Sequence, residues 1–259
     1  MGDGVRPHGI LGGLIPLARF AFDAVADGLF TRACLACGSL LPGGSAPPLY
    51  LCPGCSSECV PAGGPSCPIC GIPADDALAG PCGACCCEPP AFDSCRTAFL
   101  YMGPIPGILL KLKYGEAFEL ARPLGRILAA TVLAAGLAGA DVVVPVPLSP
   151  RRLRSRGYNQ SVLLMSMIAS CLGIRPLPAA LLRVRDPGPQ AGRGRHERQV
   201  SVEACFLAGS RTRVAGLHVL LVDDVVTTGA TASECARVLK EAGATRVDAI
   251  AVARAVPGL

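Results

Sequence analysis

The chain has no tryptophan, and its seven phenylalanines and four tyrosines bring aromatic residues to only 4% of 259 positions. A surface that holds single-stranded nucleic acid by stacking bases on rings is therefore poorly provided for. A membrane-spanning run is missing too. The longest apolar stretch, 127–140, is interrupted by Gly136 and Gly139 and ends at Asp141, too short to cross a bilayer. The mean hydropathy of +0.47 and the 51% hydrophobic content come from abundant Ala and Val rather than from a span. Segment 9–30 has Arg6 before an apolar 10–17, as an export leader would. Arg19, Asp23 and Asp27 then recur on one side of an amphipathic helix, so a packing helix is the expectation over 1–30. No membrane insertion and a cytoplasmic location follow.

Positive charge is scarce in one part and concentrated in another. Residues 31–95 hold one Arg against five acids, whereas 143–213 hold twelve Arg against three acids, within a formal total of +5. An anionic ligand belongs with the second region. The length allows one sizeable domain and a small appendage.

Cysteine is the abundant exception: fifteen in all, eleven of them between Cys34 and Cys87. Cys34 and Cys37 form a CxxC step that pairs with Cys52 and Cys55, and Cys67 and Cys70 pair in the same way with Cys82 and Cys85. Two such steps supply four thiolates on two tight turns, the ligand set of a closed tetrahedral zinc site. An odd total and repeated spacing argue against a secreted disulfide framework. Two structural Zn2+ ions are expected in a double zinc ribbon over 31–90, with Cys86 an alternative to Cys85 as the last ligand. Large apolar residues are few here, so metal supplies most of the module's stability, and chelation is expected to unfold it while the later domain stays folded.

From residue 91 to 259, apolar segments alternate with Gly/Pro punctuation, the pattern of a parallel α/β sheet flanked by helices. Strands are expected at 96–102, 142–146, 219–222 and 247–253, and helices at 107–114, 121–135, 161–172 and 230–242. Between strand 142–146 and helix 161–172 lies a basic loop with Arg151, Arg152, Arg154 and Arg156. Guanidinium groups on such a loop can grip a diphosphate with charge-assisted, bidentate bonds, and Lys113 at the end of helix 107–114 adds to them. Strand 219–222 leads to Asp223 and Asp224 at its carboxyl end, where open α/β sheets bind ligands. Thr227, Thr228, Gly229, Ala230 and Thr231 follow, small residues whose backbone closes around an anion at a helix start.

The stretch 219–231 resembles the phosphoribosyl pyrophosphate (PRPP) signature of type I phosphoribosyltransferases. Together with the repeated CxxC pairs, Leu-Lys-Tyr at 112–114, Pro-Val-Pro at 145–147 and Arg-Gly-Tyr-Asn-Gln at 156–160, it follows the order seen in the ComF family. That family resembles a zinc ribbon fused to a type I phosphoribosyltransferase domain and is associated with DNA uptake in natural transformation. The resemblance implies that Asp223 and Asp224 hold the ribose and, through water, Mg2+. It implies that 227–231 cradle the 5-phosphate and that the basic loop meets the pyrophosphate. Segment 183–206 is similar to the family's mobile loop: Arg183, Gln190 and Arg198 match, while Pro187, Arg193 and Ser201 depart from Thr, Leu and Asn. The implied activity is transfer of ribose 5-phosphate from PRPP to an unknown acceptor with release of pyrophosphate. Two other readings stay open: a non-catalytic accessory binding single-stranded DNA or a DNA-uptake helicase, and a PRPP sensor.

Overall fold

The computed structural model describes residues 33–41, 50–74, 80–115, 117–185, 205–209 and 213–256. The expected helix over 1–30, and with it Gln190 and Arg198 of segment 183–206, lies outside the described residues.

Two short helices open the described elements, α1 (Pro53–Ser57) and α2 (Gly83–Cys87), each on the second CxxC step of its cysteine set. There follow β1 (Ser94–Leu100), α3 (Ile105–Tyr114), a 3-10 turn (Phe118–Leu120), α4 (Ala121–Ala134), β2 (Val142–Pro145), α5 (Pro150–Arg156), α6 (Gln160–Leu172) and β3 (Arg175–Pro176). The chain ends with β4 (Leu181–Arg183), β5 (Phe206–Ala208), β6 (His218–Val226), α7 (Ala230–Glu241) and β7 (Arg246–Arg254). Five strands make one sheet in the order β1-β7-β6-β2-β3, with every pairing parallel. The type I phosphoribosyltransferase-like sheet flanked by helices is therefore present, with the two cysteine groups at its amino-terminal end. β4 and β5 pair antiparallel outside it, so the two ends of segment 183–206 are tied together.

Alternation along the strands divides the interior in two. Val142, Val144, Val219, Leu221, Ala249 and Ala251 face α7 through Ala232, Cys235, Ala236 and Leu239. Val143, Leu220, Val222, Ile250 and Val252 face α3, α4 and α6 through Ile108, Leu112, Leu124, Leu128, Leu164 and Ile168. Strands buried on both faces need continuous apolar runs, and β2 and β6 supply them. Each fully buried Leu or Ile is worth about 1.5–3 kcal/mol, so the sheet's two faces carry much of the stability.

The cysteine loops share these cores instead of forming one of their own. Cys34, Leu41 and Leu51 join the α3 side, where Lys111 Nζ donates to the carbonyls of Leu35 at 2.8 Å and Ala36 at 3.2 Å. Cys67, Cys70 and Cys85 join the α7 side with Phe92 and Cys95. The two loops thus sit on opposite faces of one sheet. Between them, residues 60–62 run antiparallel along the edge of β1, through Leu100 N to Val60 O at 2.9 Å and Ala62 N to Ala98 O at 3.0 Å. Gly71 makes the second docking possible, because a Cβ there, at a φ of 69°, would stand 2.4 Å from the Cys95 carbonyl oxygen. A loop so embedded cannot come apart without uncovering a face of the sheet.

Candidate functional site: a charged cleft at the carboxyl edge of the sheet

β2 leads outward to β3, whereas β6 leads the other way to β7, so the strand order reverses between β2 and β6. Ligand crevices of open α/β sheets form beyond the carboxyl ends at such a reversal. Pairing of β2 with β6 ends at Pro145 opposite Val222, while β6 continues beside β7 to Val226 opposite Arg254. Asp223 and Asp224 therefore lie inside the last turn-ward part of a nine-residue strand, not beyond a four-residue one, and one strand edge is open beside them. The cleft there has a volume of about 190 Å³ and is lined by Lys113, Tyr114, 146–148, Arg152, Arg156, Gln160, Ser161, Arg183, Asp223, Asp224 and Thr231.

The two acids are not equivalent. Asp224 is 5% exposed, forms an ion pair with Lys113, and accepts from Gln160 Nε2 at 3.2 Å. Asp223 is half-buried and faces the cleft. It accepts from Ser161 Oγ at 3.2 Å and from the Asp224 backbone N–H at 2.8 Å. Burial first, and the neighbouring Asp224 carboxylate second, push Asp223 up to about 8. Gln160 links the acids to the basic side, since its Oε1 accepts from Arg156 Nη1 at 2.6 Å. The Arg156 guanidinium also lies 4.6 Å from the Tyr114 ring centroid, a cation–π contact.

The basic segment is a helix rather than a loop. Ser149 caps α5 by accepting from Arg152 N at 3.3 Å, Pro150 fits the first turn, and the helix stops at Gly157. Helical spacing then divides the arginines: Arg152 and Arg156, four apart, line the cleft, whereas Arg151 and Arg154 are exposed away from it. α6 starts in the cleft wall, with Asn159 accepting from Ser161 N at 2.9 Å and donating to the Val146 carbonyl at 3.0 Å. After β6, Thr227, Thr228 and Gly229 form a three-residue turn, and Ala230 and Thr231 already belong to α7. Gly229 takes a φ of 85° against the Phe92 ring, which spares a left-handed side chain, and Thr228 Oγ1 accepts from Ala230 N at 3.3 Å. Of these residues Thr231 lines the cleft.

Gln160 and Tyr114 belong to sequence motifs, and Ser161 opens the expected helix 161–172, but none of the three was expected as a site residue. The cue available was position: Asn159 is a cap residue directly before an apolar helix, which puts Gln160 and Ser161 in its first turn at the sheet edge.

At the cysteine loops, one ligand sulfur from each of Cys34, Cys37, Cys52 and Cys55 lies within 4.8 Å of the others, and the same holds for Cys67, Cys70, Cys82 and Cys85. Both groups are compatible with a four-sulfur zinc site. Backbone donors already point at the sulfurs, from Cys55 N to Cys52 Sγ at 3.5 Å, Cys70 N to Cys67 Sγ at 3.5 Å and Cys82 N to Cys67 Sγ at 3.3 Å. Burial alone would raise Cys34 and Cys67, but such N–H groups outweigh it and hold both near 6, the thiolate form that binds metal. Cys86 is exposed and turns to the Pro81 carbonyl at 3.6 Å, so the compact set contains Cys85.

Residues 160–256 match the family model described as the phosphoribosyl transferase domain. The DNA utilization protein YhgH of Salmonella typhi is 37% identical over 185 residues, covering 70% of this chain and 80% of that protein. Competence protein F of Haemophilus influenzae is 31% identical over 212 residues, covering 79% and 90%. The chain belongs to the ComF family. Competence protein ComFC of Bacillus subtilis is 38% identical over 102 residues, 39% of each chain. Among the described residues of this ComF-family chain, no helix is long and apolar enough to cross a membrane.

Proposed function

We propose that the cleft binds PRPP with Mg2+ and that the chain is a phosphoribosyltransferase-like protein acting in DNA uptake. The observation that carries this reading is the meeting of opposite charges across one small cleft: Asp223 and Asp224 on β6 against Arg152, Arg156 and Lys113. A sugar phosphate with a diphosphate needs both. Hydroxyls of the ribose would donate to the Asp223 carboxylate, which is also the oxygen donor best exposed to a hydrated Mg2+. Thr227, Thr228, Gly229, Ala230 and Thr231 would receive the 5-phosphate at the start of α7. Arg152 and Arg156 would hold the pyrophosphate, with Arg151 and Arg154 contributing only to the field around the cleft. Gln190 and Arg198 would join from segment 183–206.

Asp224 has a different task in this reading. Held by Lys113 and Gln160, it fixes the charge and position of the wall against which Asp223 works. Mg2+ bound with PRPP would neutralise charge on the diphosphate. The protein's contribution to transfer would be to hold the ribose and the departing pyrophosphate in line. Zn2+ in the two cysteine groups would be structural, because four sulfurs leave no open position for water. Residues 31–90 would then act as a zinc-ribbon module on a 91–259 phosphoribosyltransferase-like domain. The link to DNA uptake rests on the names of the relatives, which include competence proteins. Single-stranded DNA or a DNA-uptake helicase would be the partner, and the cytoplasm the location.

Incubation with PRPP, Mg2+ and a panel of nucleobases, followed by pyrophosphate measurement, separates the readings. Pyrophosphate released only with an acceptor supports a transferase. PRPP binding without release supports a sensor or accessory, and no PRPP binding removes the proposal.

A further inference from the structure

One helix, α3, joins the first cysteine group to the cleft. The loop that carries Cys34, Cys37, Cys52 and Cys55 is built against it: Cys34 lies in the same core as Ile105, Ile108, Leu109 and Leu112, and Leu35, Ala36, Cys52 and Cys55 pack on that core. At the last turn of the helix the contact becomes polar. The Lys111 ammonium donates to the Leu35 carbonyl at 2.8 Å and the Ala36 carbonyl at 3.2 Å. These are the two residues between Cys34 and Cys37, so one cation grips the turn that presents both sulfurs.

The three residues after Lys111 all meet the cleft wall. The Leu112 carbonyl accepts from the Tyr158 hydroxyl, Lys113 is paired with Asp224, and the Tyr114 ring lies 4.6 Å from the Arg156 guanidinium. Helix geometry explains the division, because residues two apart point roughly 200° away from each other. Lys111 reaches the cysteine loop while Lys113 reaches Asp224. The second loop is held elsewhere, on β1, with Cys95 N donating to the Ile69 carbonyl at 2.7 Å and Arg96 Nη1 to the Pro68 carbonyl at 2.9 Å. β1 is an edge strand, separated from β6 by β7.

We propose that the metal-loaded first cysteine loop fixes the last turn of α3 through Lys111 and so sets the affinity of the cleft, with Lys111 as the positioning residue. The proposal rests on the reading of that group as a zinc site and of the cleft as a PRPP site. Four thiolates closed around Zn2+ hold their turns rigid, and the Leu35 and Ala36 carbonyls keep their places only with them. Coupling between sites is reciprocal, so PRPP would also tighten zinc in the first group.

Titration calorimetry with PRPP and Mg2+, zinc content and zinc transfer to a chromophoric chelator test it on the full-length parent, Cys37→Ser, Cys82→Ser, Lys111→Met and Lys111→Arg. Cys37 is exposed, so its replacement removes a ligand without opening the core. Cys37→Ser should lose the first zinc and bind PRPP roughly 5–150-fold more weakly, the usual span of coupling between sites. Cys82→Ser should lose the second zinc and much less affinity. Lys111→Met should keep the parent's zinc and unfolding midpoint yet bind PRPP about 2–10-fold more weakly, with Lys111→Arg close to the parent. Equal losses in the two cysteine variants, or a Lys111→Met protein that binds PRPP as tightly as the parent, overturn the proposal. If Cys37→Ser does not fold, Lys111→Met decides alone. A parent without zinc in the first group removes the proposal together with the zinc reading. A parent that holds zinc but no PRPP defeats the reading of the cleft, and the coupling is then read optically. Tyr114→Trp gives a chain without tryptophan a single reporter at the cleft, whose emission should change when Lys111→Met or Cys37→Ser is added. Unchanged emission in both overturns the proposal.

Discussion

The two ends of the central strand pair each carry an acid, and they treat it in opposite ways. At the amino end Asp248 is 0% exposed and saturated. Ser94 Oγ donates at 2.6 Å, Arg246 Nε at 2.6 Å, and His218 Nε2 lies 2.7 Å away. Burial works against its charge, but these partners outweigh it and hold its carboxyl below the usual range. At the carboxyl end Asp223 has few donors and a second carboxylate beside it, and is pushed up to about 8. One acid is finished by the fold; the other is left wanting a cation or a hydroxyl. Strain of that kind marks a site whose ligand completes it.

The comparison can be broken most directly by truncation. Asp248→Ala removes the acceptor of the buried Ser94 hydroxyl and one partner of the half-exposed Arg246, so it should lower unfolding free energy by about 1–3 kcal/mol in a urea titration. Asp223→Ala, which relieves repulsion, should change it by less than about 1 kcal/mol or raise it. Equal losses would mean that both acids are structural.

Lys113→Met probes the partner that makes Asp224 tolerable. Lys113 is 22% exposed and Asp224 7% by side chain, so removing the cation leaves a mostly buried charge. A loss of roughly 1–3 kcal/mol is expected by the same titration. Asp224→Asn in the Lys113→Met background should recover part of it, and no recovery would show that the pair is not coupled.

Acidity sharpens the contrast by sign. Asp223 has a folded value above its ordinary 3.8, so the folded chain keeps a proton that the unfolded chain releases. Its stabilising contribution is complete below about pH 4 and is lost as pH rises through about 8. Asp248 has a lowered folded value, so its contribution is present above about pH 4 and lost as pH falls below that. Stability curves of the parent minus Asp223→Asn should therefore fall between pH 4 and 8. Those of the parent minus Asp248→Asn should rise through the acid range and then level off. Two curves of the same sign would contradict the assignment.

Much of this arrangement was legible from residue order. The apolar run before Asp223 specified a strand buried on both sides, and the repeated CxxC steps specified two four-sulfur groups. Two features were not read because they are set by contacts distant in sequence. β6 runs on through both acids, since Asp224 is neutralised by Lys113 from α3 and strand composition carries no trace of that partner. The cysteine loops have no core of their own because they dock on opposite faces of a sheet most of whose strands come much later in the chain. A third feature was available and missed: Ser149 followed by Pro150 is a cap and first-turn pair. It makes the arginine segment helical and so turns only Arg152 and Arg156 to the cleft.

That division gives the smallest expected effect. Arg151→Ala and Arg154→Ala should leave stability within about 0.5 kcal/mol and PRPP affinity nearly unchanged at physiological salt. Arg152→Ala and Arg156→Ala should each weaken PRPP about tenfold or more, as loss of a charge-assisted bond does. Equal losses from all four would mean that the field, and not contact, binds the diphosphate.

The central claim is that the unfinished acid at the carboxyl edge is the ribose-phosphate site. Titration calorimetry of PRPP with Mg2+ into the parent and into Asp223→Asn tests it most directly. Loss of one bond to a charged group is worth about 1.5–3 kcal/mol, so the variant should bind roughly 10–150-fold more weakly while keeping the parent's unfolding midpoint. An Asp223→Asn protein that is equally stable and binds PRPP as tightly as the parent would contradict the account.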